Sequence, residues 1–176
     1  LLPRIAKNVD YIFTACENSR KEMSRRFGIP LEKIGIIYPG TDPIFKPLDK
    51  KKCKEKLRKK FGIKKSFILF VSTLEAKKNI PTLLKAYKEL KERGCKHALA
   101  LIGRKGYGYD RIDSAIKELK LEQDIITPGY VKLEDLPAFY NAADVFAFPA
   151  VDSGNMTVVD AMKCGCPVVL SNGGGG

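Results

Sequence analysis

Residues 67–71 read Phe-Ile-Leu-Phe-Val, a short and unbroken apolar run. A strand with no polar face has to be covered on both sides, which is the situation of a parallel sheet held between two helical layers. The pattern returns at 98–102 (Ala-Leu-Ala-Leu-Ile) and at 145–148 (Val-Phe-Ala-Phe). Between these runs the periodicity changes from two to near four. Hydrophobic spacing predicts strands at 9–15, 34–38, 67–72, 98–102, 124–127, 145–148 and 167–170. It predicts helices at 17–27, 50–61, 80–93, 109–120, 133–142 and 157–163. Gly28 and Gly62 end the first two helices. Pro81 sits in the first turn of the third, where its missing N–H costs nothing. Leu83, Leu84, Tyr87 and Leu90 are its expected apolar face. Strand–helix alternation of this kind implies right-handed crossovers. The fold class is therefore α/β, a Rossmann-like doubly wound parallel sheet. Ligands in such sheets sit beyond the carboxyl ends of the strands.

Three loops at those ends carry chemistry. The strand at 145–148 stops at Pro149, and Asp152-Ser153-Gly154-Asn155 precedes the helix containing Met156 and Thr157. A helix start offers unpaired N–H groups and a positive dipole, which suit a phosphate. Asp152 and Asp160 frame that start, and carboxylates accept hydrogen bonds from hydroxyls. Phosphate donors flanked by hydroxyl acceptors describe a sugar nucleotide. Ser72-Thr73-Leu-Glu-Ala-Lys77-Lys78-Asn79 forms the second loop, where a lysine reaches over the sheet edge towards a diphosphate. The plainer reading is that Asn79 caps the next helix and the lysines are solvated. The third loop is Gly103-Arg104-Lys105-Gly106-Tyr107-Gly108. Its glycines permit close backbone approach, but their spacing is not the dinucleotide fingerprint, so no NAD site is expected. Arg104 and Lys105 are read as facing solvent.

Composition removes other classes. The chain has 176 residues and a formal net charge of +12. Eleven Lys or Arg lie within 46–65, against Asp49 and Glu55. Phe61 is the one aromatic among them, where a single-strand binder requires several interleaved, so a solvated helix face is the first reading. An anionic membrane surface is the second, and a polyanion-binding domain the third. No apolar run reaches membrane-spanning length, and residues 1–8 lack the apolar segment of a signal peptide. Five cysteines without metal-like pairing read as reduced thiols. Cys164 and Cys166 are expected to pack at a helix end. His97 is the sole histidine, expected in a surface role, so Ser-His-Asp and Cys-His mechanisms lack support. No cluster has metal-ligand spacing, and no metal or cofactor is expected.

The stretch Asp160-Ala-Met-Lys-Cys-Gly-Cys-Pro-Val-Val-Leu-Ser-Asn172 resembles the donor-site signature of retaining glycosyltransferases of family 4, which have the GT-B fold. Two glutamates of that signature correspond to Asp152 and Asp160 here, and Ser153-Gly154-Asn155 replaces its Gly-Phe-Gly. Lys77-Lys78-Asn79 is similar to the family's Arg-Lys-Asn, and residues 72–79 resemble a mannosyltransferase-like subgroup. The resemblance implies that residues 1–38 are the tail of an acceptor domain, 39–47 an interdomain connection, and 48–176 a nucleotide-sugar-binding domain truncated at its end. It implies transfer of a hexose, mannose or glucose, from an NDP-sugar such as GDP-mannose or UDP-glucose to a saccharide or lipid-linked acceptor, with no bound cofactor. Lys78 and Asp152 would be catalytic. Lys77, Asp160, Asn155, Met156, Thr157, Ser72, Thr73, Gly103, Gly129, Tyr130 and Val131 would hold the donor, with the base near Pro128-Gly129-Tyr130-Val131. The expected location is the cytoplasm, with peripheral contact at the inner membrane face. The alternative within the same resemblance is a degenerate module that binds a sugar nucleotide without turnover, each carboxylate being one methylene shorter than the glutamate it replaces.

Overall fold

The computed structural model describes residues 8–150 and 156–172. Asp152 and Asn155 therefore lie outside the described residues. Five strands form one parallel sheet: β3 (Phe67–Val71), β4 (Ala98–Ile102), β5 (Ile125–Gly129), β6 (Val145–Phe148) and β7 (Val168–Leu170). β1 (Ile12–Thr14) and β2 (Ile34–Ile36) form a separate parallel pair, in register at Ile12 and Ile34. The helices are α1 (Glu17–Phe27), α2 (Lys50–Phe61), α3 (Ile80–Glu92), α4 (Tyr109–Glu118), α5 (Leu136–Ala142) and α6 (Met156–Lys163).

The order across the main sheet is β5-β4-β3-β6-β7. The chain winds outward from β3 through β4 to β5, then crosses back to β6 and β7. α3 packs on α4, while α2 and α6 pack on α5. Right-handed crossovers put those two groups on opposite faces. The middle of the sheet is accordingly sealed: Leu69, Phe70, Leu99, Ala100, Leu101 and Phe146 are all buried. Phe70 stacks on Phe148 of the adjoining strand, with ring centroids 5.5 Å apart.

Local chemistry explains the helix ends. Asp49 accepts the Lys52 N–H at 3.0 Å and caps α2; Gly62, at φ 69°, closes it. α2 is almost entirely polar, with only Cys53 and Leu57 buried. It is held to the body by its lysines and by Asn141. Lys56 and Lys60, one turn apart, reach the buried Asp135 at 2.9 Å and 2.5 Å. Asn141 Oδ1 accepts the Leu48 N–H (2.7 Å), while its Nδ2 donates to the carbonyls of Lys46 (3.0 Å) and Pro137 (2.9 Å). The segment entering α2 is thus tied to α5. A smaller core, Ile29 and Ile34 with Ile12, Met23 and Phe27 against it, belongs to the β1–β2 pair and α1.

Several predicted bounds shift. β1 and β2 are shorter than 9–15 and 34–38. The helix expected from 133 starts as a 3₁₀ turn, Leu133–Asp135. β5 runs on through Pro128 to Gly129, which is tolerated because β5 is an edge strand. Leu90, expected on the apolar face of α3, is 42% exposed; Ile80 takes the buried position instead.

Candidate donor site

β3 lies between β4 and β6, strands reached by crossovers in opposite directions. The carboxyl ends of β3 and β6 thus flank the point where the winding reverses, and a crevice opens there. From β3 come Ser72, Thr73, Lys77 and Lys78. From β6 come Phe148 and Pro149.

The β3 loop is braced on its neighbour. The Ser72 N–H donates to the Ile102 carbonyl (3.1 Å) and the Leu74 N–H to that of Arg104 (2.8 Å). The Gly106 N–H donates back to Leu74 (3.1 Å). Gly103, at φ 149°, is pressed against Ser72, and Gly106 against Thr73 and Glu75. The close approach foreseen for these glycines is therefore made to the chain's own second loop. Arg104 and Lys105 are exposed, as read, and each also lies over a ring: Arg104 over Tyr130 at 4.5 Å and Lys105 over Tyr109 at 4.5 Å.

Ala76–Lys78 form a 3₁₀ turn that aims the two lysines differently. Lys77 is exposed and its Nζ is 2.8 Å from Glu75. The half-buried Lys78 instead places its Nζ 5.9 Å from the centroid of the Phe148 ring, at the carboxyl end of β6. Lys78 thus crosses the switch point. Asn79 corrects an expectation. Its side chain makes no helix-cap bond; the residue adopts φ 56°, and its Nδ2 donates to the Pro149 carbonyl at 3.2 Å. It fastens the β3 loop to the exit of β6, a link invisible in sequence because residues 79 and 149 are so far apart.

α6 opens with the partly exposed Met156 and half-buried Thr157. Asp160, one turn further, is 7% exposed, and its Oδ1 is buried without a hydrogen-bond partner. Burial pushes its carboxyl up to about 6; Lys163 opposes this and the nearby Asp42 adds to it. Three more buried oxygens among the described residues lack hydrogen-bond partners, Thr41 Oγ1, Tyr140 Oη and, elsewhere in the fold, Asp144 Oδ2. Tyr140 is fully buried, and burial first, then the charge of Asp160, raises its phenol far above the usual value. Packing, the role expected for Tyr140 and Phe139, holds for both rings. Asp42, within 39–47, lies in the field of Asp160, a proximity that no motif in the chain signals. On the β5 side, Gly129 has φ 78° and open space where a Cβ would stand; Tyr130 is exposed and Val131 buried. Among the described residues no group of His, Cys, Asp and Glu could hold a metal ion.

His97 is more engaged than expected, standing near Cys95 and Asp144. Cys164 and Cys166 are buried, as predicted. Among the described residues no helix is long and apolar enough to cross a membrane.

A doubly wound sheet with a lysine-bearing turn at its switch point defines an α/β protein of the kind that holds ligands beyond its strand ends. The chain belongs to the family of glycosyl transferases group 1, which it matches over residues 53–176, and its fold is GT-B. It is 33% identical over 163 residues to the O-antigen chain mannosyltransferase B of Escherichia coli, covering 92% of this chain and 43% of that one. It is 29% identical to the mannosylfructose-phosphate synthase of Agrobacterium fabrum, covering 85% and 35%. Anabaena HepE, solved with UDP and glucose, superposes with a TM-score of 0.80 at 23% identity over 98% of this chain and 48% of that one. The chain spans less than half the length of these relatives.

Proposed function

We propose that the chain is the nucleotide-sugar-binding part of a retaining glycosyltransferase that moves a hexose, mannose or glucose, from an NDP-sugar to a hydroxyl of a saccharide or lipid-linked acceptor. The observation that carries this reading is Lys78 at the end of β6. A cation there and the start of α6, the next helix in the chain, each suit an anion with two phosphates. Lys78 neutralises charge that grows on the departing diphosphate, a role that counts most in the transition state. Lys77, held by Glu75, contributes more weakly. The unpartnered oxygen of Asp160 accepts ribose hydroxyls, and Asp152 holds the transferred sugar. Backbone groups at Gly129 to Val131 meet the base. Residues 1–38 belong to the acceptor domain and 39–47 to the connection; the separate small sheet and core formed by β1, β2 and α1 support the first assignment. The protein works in the cytoplasm, with peripheral contact at the inner membrane face.

The test is turnover by the full-length protein with GDP-mannose and UDP-glucose and a panel of acceptors. Product whose anomeric configuration matches the donor supports the reading; inverted product refutes retention. Aspartate at both signature positions favours the second reading, a degenerate module, which predicts donor binding without product. The polyanion reading is weakened by the partners of the lysine run: Lys50, Lys56, Lys59 and Lys60 all pair with carboxylates.

A further inference from the structure

We infer that Cys95, His97 and Asp144 form a reactive-thiol site at the amino edge of the main sheet, suited to exchange with a small-molecule disulfide. The site is at the opposite end of the strands from the donor crevice and does not depend on the reading given there. Cys95 lies in the turn between α3 and β4, His97 directly before β4, and Asp144 directly before β6. β4 and β6 flank β3, so these residues meet across its start.

The geometry is that of a thiol, a base and an orienting carboxylate. Cys95 Sγ is 3.7 Å from His97 Nδ1, and His97 Nε2 is 3.2 Å from Asp144 Oδ2. The backbone fixes the approach. The Cys95 N–H donates to the Leu90 carbonyl at 3.0 Å, and the Tyr87 hydroxyl donates to the His97 carbonyl at 2.7 Å. Asp144 is ionised: burial opposes its charge, but Lys50, 2.8 Å from Oδ1, and Lys54 hold the carboxyl below its usual value. Its Oδ2 is buried and makes no hydrogen bond, and His97 Nε2 faces it at ion-pair distance. The charge of that oxygen favours the ring proton on Nε2, which leaves the Nδ1 lone pair towards sulfur. His97 is placed as general base: the Cys95 proton passes to Nδ1 as the sulfur attacks, and the Asp144 carboxylate flanks the ring.

The chemistry that follows is thiol–disulfide exchange. The Cys95 thiolate attacks one sulfur of the disulfide, and a new S–S bond forms as the old one breaks. The departing sulfur leaves with the electron pair and takes the proton from His97. Cys95 is oxidised to a mixed disulfide, and one half of the reagent is reduced to a thiol. Cys95 is half-buried and the His97 side chain 39% exposed, so a small reagent has access. Cys53, Cys164 and Cys166 are buried, and burial pushes each thiol up, the last two to about 11. Cys16 is the competitor, since its bonds with Ser19 hold it below the usual value.

The test is the reaction of the full-length Cys16→Ser protein with dithiodipyridine, followed by pyridinethione release and by mapping of the adduct. One fast equivalent on Cys95, absent in Cys95→Ser and slowed at least about tenfold in His97→Gln, is the expected result. First adduct on another cysteine, or an unchanged rate in His97→Gln, overturns the inference. Should His97→Gln fold poorly, the adduct map of the Cys16→Ser protein decides alone.

Discussion

The carbonyl oxygen of Ser72 lies only 1.8 Å from where a Cβ on Gly103 would stand. Gly103 is also at φ 149°, so Gly103→Ala meets both a backbone clash and strain. Neither can relax without separating β3 from β4, and the expected cost is roughly 3 kcal/mol or more. Gly129 has φ 78° but open surroundings, so Gly129→Ala should cost only about 1 kcal/mol. Urea denaturation of the two variants, compared by midpoint, checks the contrast.

Asn141 makes three hydrogen bonds that tie the entry of α2 to α5. Asn141→Ala removes all three and leaves the Leu48 N–H and the Lys46 carbonyl unpaired. A loss of about 2–4 kcal/mol is expected in thermal or chemical unfolding.

Asp135 is buried between Lys56 and Lys60. The bond from Lys60 chiefly, opposed by burial and aided by Lys56, holds its carboxyl below the usual 3.8. A depressed carboxyl stabilises the fold above its unfolded value and loses that contribution as pH falls through the folded one. Asp135→Asn should therefore cost roughly 2 kcal/mol at neutral pH, with the gap closing below pH 3.8. The lysine ends are half-exposed, which keeps the figure under that of a fully buried pair.

Asp160 behaves in the opposite sense. Its carboxyl rises from 3.8 to about 6. A raised group favours the fold below its unfolded value, and that advantage fades as pH climbs through the folded one. Asp160→Asn should be close to the parent in stability at pH 4 and more stable at pH 8, by at most about 3 kcal/mol. The same change should weaken donor binding, the usual exchange of stability against function. Denaturation at both pH values, with titration of an NDP-sugar at pH 8, separates the two effects.

Much of this molecule is legible in its sequence. The bounds of α1, α2, β4 and β6 follow directly from apolar spacing and from Gly28 and Gly62, because those signals are local. Leu90 fails because periodicity shows a stripe but not where the layer beneath it ends. Pro128 reads as a break and so shortens the expected β5, and only the sheet order shows that the strand lies at an edge. Motifs single out Lys78 and Asp160 as candidates, but not the neighbours around them. Glu75 takes Lys77 through the fold of a 3₁₀ turn, Asn79 finds Pro149 across the sheet, and Asp42 reaches the field of Asp160 from the other end of the chain. Cys95, His97 and Asp144 meet only because β4 and β6 flank the same strand.

The central claim, that the crevice between β3 and β6 holds the head of an activated sugar, is tested most directly by a crystal structure of the full-length protein soaked with GDP-mannose. The account predicts the diphosphate at the start of α6 within hydrogen-bond reach of Lys78, and the ribose hydroxyls on Asp160. A nucleotide bound elsewhere, such as against the lysines of α2, or a ribose with no contact to Asp160, would contradict it.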